Sequence, residues 1–77
     1  MPRSFWFMTN SGLGYGATGY DQADAEALLL SFGYPAEGVV VTGVTSDVKH
    51  ADLEQNHVAP NIGAMVVRGV WFPRHNV

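Results

Sequence analysis

The sequence predicts a small α+β domain of order β-β-α-β-β, with one helix packed on a mainly antiparallel four-stranded sheet. Three observations lead there. One stretch alone, 22–32, carries helical periodicity with start and stop signals. Four short stretches are rich in β-branched and aromatic residues and are bounded by Gly, Pro and Asn. The chain has 77 residues, 47% of them hydrophobic, which suits a single folded core and no second domain.

The first strand is expected at 3–9, "RSFWFMT". Alternation puts Phe5 and Phe7 on one face and Ser4, Trp6 and Met8 on the other. Both faces are largely apolar, so this strand belongs in the middle of the sheet. "NSGLG" at 10–14 is turn chemistry, and 15–20 returns as a second strand, closing a hairpin. Asp21 then stands at the N-cap of a helix over 22–32, with Asp24 in its first turn. Ala25, Leu28, Leu29 and Phe32 form one stripe. Gly33 is the stop, followed by Pro35. A third strand is expected at 38–45, and a polar stretch at 46–57 with one helical turn around Asp52–Gln55. A turn at 59–63 leads into a fourth strand at 64–72, ended by Pro73, and residues 73–77 form a loose tail. Asn61 and Gly63 are expected to fix the entry into that last strand, Asn61 by side-chain hydrogen bonds to backbone.

"GYGATG" (14–19) spells the G-x-G-x-x-G pattern of dinucleotide-binding folds. In those folds the helix starts within the motif and aims its N-terminus at pyrophosphate. Here the N-cap, Asp21, comes two residues after the last glycine, and Asp24 and Glu26 follow it. Those carboxylates repel a phosphate. Val39, Val40 and Val41 stand where an acidic ribose ligand belongs. The glycines therefore read as strand residues; Gly16 and Gly19 make room for close packing of helix on sheet.

Composition excludes several functions. The net charge is −3, and Arg3, Lys49, Arg68 and Arg74 are scattered, so no basic stripe marks a nucleic-acid surface. A basic protein partner suits the sign better. Only 14% of residues are charged, which favours an apolar patch and hence a partner or a homodimer through the last strand. No cysteine is present, pointing to a reducing, cytoplasmic location, and no apolar run is long enough for a membrane span.

His50, Asp52, Glu54 and His57 form H-x-D-x-E-x-x-H. On a single helix His50, Glu54 and His57 would share a face, yet the spacing matches no zinc signature. The plain reading is a polar surface loop, and the alternative is a metal or small-ligand module. No serine lies in a nucleophile-elbow context, so no catalytic residue and no cofactor is assigned.

The closing stretch, "HVAPNIGAMVVRGVWFP" (57–73), is the least generic. Arg68, placed mid-strand among valines, must pair if it faces inward, with Asp21, Asp24 or Glu26 as candidates. Trp71, Arg68 and Arg74, together with Trp6, are the candidate anchors of a partner surface, while core packing is the competing role for Trp71. This stretch and "GYGATGYDQADAEALL" resemble a family of small, uncharacterised bacterial proteins. The resemblance rests on His57, Val58, Pro60, Asn61, Gly63, Arg68, Gly69, Trp71, Phe72 and Pro73. It implies a small bacterial α+β domain and brings no activity, cofactor or ligand. The expectation is a non-enzymatic protein-interaction domain, of inhibitor, immunity-type or accessory kind.

Overall fold

A computed structural model describes residues 2–12, 14–53, 55–56, 58–63 and 65–73. Strand β1 (Arg3–Thr9) and strand β2 (Gly14–Gly19) form a hairpin in register from Arg3 opposite Gly19 to Met8 opposite Gly14. Helix α1 (Gln22–Ser31), strand β3 (Val41–Ser46) and strand β4 (Gly69–Phe72) follow. The sheet order is β3-β1-β2-β4, and each neighbouring pair is antiparallel. The α+β class and the element order are as the sequence predicts, and β1 is central. Both β2 and β3 run antiparallel to β1, on opposite sides of it, so the chain through α1 crosses over β1. The radius of gyration is 11.2 Å, close to the roughly 11.5 Å of a compact chain this long.

Each face of the sheet has its own core. On one face Phe5, Phe7, Tyr15 and Ala17 meet Ala25 and Leu29 of α1. On the other, Trp71 is surrounded by Val48, Leu53 and Ala59, with Trp6, Ile62, Met65 and Phe72 packed against them. That second face is covered by the connection between β3 and β4, which holds two 3₁₀ turns, His50–Asp52 and Ala59–Asn61.

The helix begins as expected: Asp21 accepts from the Asp24 N–H at 2.8 Å, satisfying an orphan donor of the first turn. It ends one residue early. Phe32 is the C-cap, its backbone outside helical geometry, and its side chain leaves the stripe to stand 49% exposed. Gly33 follows at φ 83°, the left-handed conformation that ends the helix.

Strand β2 lies one residue earlier than the expected 15–20, and three further elements differ from expectation. The third strand starts at Val41 instead of 38, because the Val39 N–H is turned back onto the Ala36 carbonyl and Val40 is clamped by Asn10 through two hydrogen bonds. The described helical turn starts two residues earlier than expected, at His50–Asp52, held by the Asp52 carboxylate on the Lys49 N–H at 3.0 Å. The fourth strand is four residues long instead of nine. Thr18, paired with Gly69, is the last β2 residue with a β4 partner, and α1 is capped three residues later; a strand at 64–68 would have no ladder to join. The expected tail from Arg74 onward lies outside the described residues, as do Glu54, His57 and the Asn61 side chain.

Candidate interaction site

Of the expected partner surface, Arg74 lies outside the described residues, and among the described ones Trp6 and Trp71 pack together on one face of the sheet while Arg68 lies with the helix on the other. Trp71 is 1% exposed, a core residue that stacks on Trp6 with ring centroids 5.9 Å apart. Its Nε1–H donates to the buried Thr18 hydroxyl at 3.1 Å, and that hydroxyl donates to the Met65 carbonyl. Such a satisfied indole is a packing element and not an exposed anchor. Arg68 belongs to the opposite layer. Its guanidinium is bidentate on the Asp24 carboxylate of α1, at 2.6 and 2.8 Å, and lies over the Tyr20 ring. Of the three acids the sequence offers it, Asp24 is the partner. Arg68 and the Tyr20 N–H together hold the Asp24 carboxyl down to about 2.

The glycine motif is explained by close approach. Gly16 does not make room for the helix as expected: Gly14 and Gly16 face the other side of the sheet and lie under the indoles of Trp6 and Trp71, where a Cβ on either would overlap a ring. A Cβ on Gly19 would come within 2.7 Å of the Ala25 backbone nitrogen. All six residues of β2 are buried, so no phosphate reaches their amides. Gly63 serves the last strand, its N–H donating to the Trp71 carbonyl at 2.8 Å.

His50 is exposed at the start of its 3₁₀ turn. Glu54 and His57, its proposed co-ligands, lie outside the described residues, and no group of three ligating side chains occurs among the described ones. A depression of about 530 Å³ lies beside His50 and Lys49, floored by Val48, Ile62 and Met65.

The site the structure offers is elsewhere. A cleft of about 350 Å³ runs between the C-terminal half of α1 and the start of β3. Leu29, Leu30, Tyr34, Pro35, Val40 and Val41 line it, with Phe7 at its base and Glu26 at its rim. Leu30 is 67% exposed and Val40 is 59% exposed. Its far wall is fixed. Tyr34 stacks on Tyr15 at 4.8 Å and donates its N–H to the Leu29 carbonyl, and Asn10 clamps Val40. Beside the cleft, β3 pairs with β1 alone among the described residues, leaving its other edge open to them.

Leu30 and Val40 are not among the residues that sequence reasoning selects. Their signal is nevertheless present: three consecutive leucines and three consecutive valines cannot all face one core. No family model matches the chain, and neither the curated proteins nor the solved structures contain a match. No helix of the described residues is long and apolar enough to cross a membrane.

Proposed function

We propose that the protein is a non-enzymatic interaction domain, of inhibitor, immunity-type or accessory kind, and that its contact surface is the cleft between α1 and β3. The observation that carries this is the pairing of exposed Leu30 and Val40 with an apolar cleft whose walls are already held in place. Two large exposed apolar side chains beside an open strand edge are costly in a lone domain and useful in a bound one. The test is affinity capture from source cells with a Leu30→Ser/Val40→Ser variant beside the wild type. A protein retained by the wild type is expected to be lost from the variant, with Trp71 near-ultraviolet dichroism unchanged. Equal retention by both would remove the cleft as the contact surface.

A small-ligand module is the second reading, supported by the depression that carries Lys49 and His50 at its edge. Calorimetric titration with zinc or nickel addresses its metal form. Absence of heat, with the histidines fully titratable, removes that form.

A further inference from the structure

We infer that the partner presents an extended segment that joins the sheet as a fifth strand on the open edge of β3, sets an apolar side chain into the cleft, and carries Lys or Arg opposite Glu26 and Glu37. This rests on the interaction reading above and says how the contact is made.

The edge is the first argument. Of the two outer strands, β4 already spends a carbonyl outside the sheet, on the Gly63 N–H. Among the described residues nothing pairs with the outer side of β3. Natural edges are usually blunted by Lys, Pro, inward charges or bulges. Val41–Ser46 holds no charge and no proline. Its register shift falls between the Thr9–Val41 and Met8–Gly43 pairs, leaving Gly43–Ser46 in regular register with β1. An added strand gains main-chain hydrogen bonds there, while the adjoining cleft selects a side chain.

Charge names the occupant. From Gln22 to Asp47 the chain contains Asp24, Glu26, Glu37 and Asp47 but no Lys or Arg. Asp24 is bound by Arg68 and Asp47 by Arg3, the latter through two bonds of 2.8 and 3.0 Å. Glu26, at the cleft rim, meets among the described residues only the neutral Gln22 amide, at 3.1 Å. Glu37 sits in the loop between Pro35 and Val39, two residues of the cleft wall. The surroundings of the cleft are therefore acidic. A second copy of the chain docking β3 to β3 would set two such acidic clefts side by side, whereas a basic segment neutralises one.

The experiment is selection of a random heptapeptide display library on the immobilised full chain, with an unrelated protein as control. Enriched peptides are then resynthesised and mapped by amide chemical shifts. Peptides alternating apolar residues with Lys or Arg are expected, shifting the amides of Val39–Ser46 and Leu30. N-methylation at alternate backbone positions should weaken them about tenfold through lost pairing. The charge-reversing pair Glu26→Lys and Glu37→Lys should also weaken them about tenfold. Acidic or uncharged peptides winning equally, indifference to N-methylation, or self-association of the chain through β3 would each overturn the proposal. Peptides mapping to the Val48–Met65 side would overturn strand addition and leave the interaction reading intact. If no peptide outcompetes the control and the Leu30→Ser/Val40→Ser variant also retains its partner, both readings fall together.

Discussion

The two faces of the sheet solve the same problem by different means. On the helix face, small residues bring a regular element close: Ala17 and Ala25 are fully buried between β2 and α1. On the other face, two indoles provide the bulk, and the sheet yields to them by having no side chain at Gly14 and Gly16. The cover there is an irregular segment anchored on Trp71. A regular layer tolerates an open end, which is where the cleft lies. The aromatic layer depends on one fit and has little slack. Gly16→Val tests that dependence with the largest expected effect. The added side chain collides with three atoms of the fully buried Trp71 ring, and overpacking this severe exceeds the ordinary cost of about 1–3 kcal/mol. A domain of this size holds about 3–5 kcal/mol in all. Loss of the cooperative thermal transition is expected, read by circular dichroism. A melting curve like that of the wild type would show that the indole layer has more room than its geometry implies.

On the helix face the adjacent leucines separate packing from binding. Leu29 is buried in the core and Leu30 faces the cleft. Leu29→Ala is expected to cost about 3 kcal/mol in denaturant unfolding. Leu30→Ala should stay within about 0.5 kcal/mol while weakening partner capture. Equal destabilisation by both would mean that the cleft side of α1 is part of the core.

This asymmetry also decides what the sequence made legible. The helix, the β1–β2 hairpin and the inward positions of Phe5, Phe7, Ala25 and Leu29 follow from period and capping, which are local properties. The second face has no period to read. Whether Trp71 is core or surface depends on Gly16 lying beneath it, and that relation spans 55 positions of the sequence between residues 16 and 71. Composition alone draws the fourth strand too long, because β-branched residues at 64–68 say nothing of where the partner strand ends. The cleft is illegible in the sequence for the converse reason: Leu30 and Val40 are defined by what they fail to pack against.

A smaller effect is expected at the entry to the helix face. Asp21→Ala removes the acceptor for the Asp24 N–H and should cost about 1 kcal/mol, read as a lower denaturant midpoint with an unchanged slope. No change in midpoint would show that the tertiary contacts of α1 hold its first turn without the cap.

The smallest effect concerns the tie between the helix and the segment leading into β4. Asp24 accepts from the Arg68 guanidinium and the Tyr20 N–H, and its carboxyl titrates at about 2 in the folded chain against 3.8 ordinarily. The folded value is the lower one, so the folded state favours the ionised form. The stabilisation is whole above pH 4 and is lost as pH falls from about 4 towards 2. The pair is partly exposed, with solvent screening Arg68, and its contribution is small and weakened by salt. In Asp24→Asn the acid-side fall in stability between pH 4 and pH 2 should become shallower, measured as the urea midpoint against pH at low ionic strength. An identical pH profile for the two proteins would mean that Arg68 is held by its stacking on Tyr20, and that the ion pair only follows.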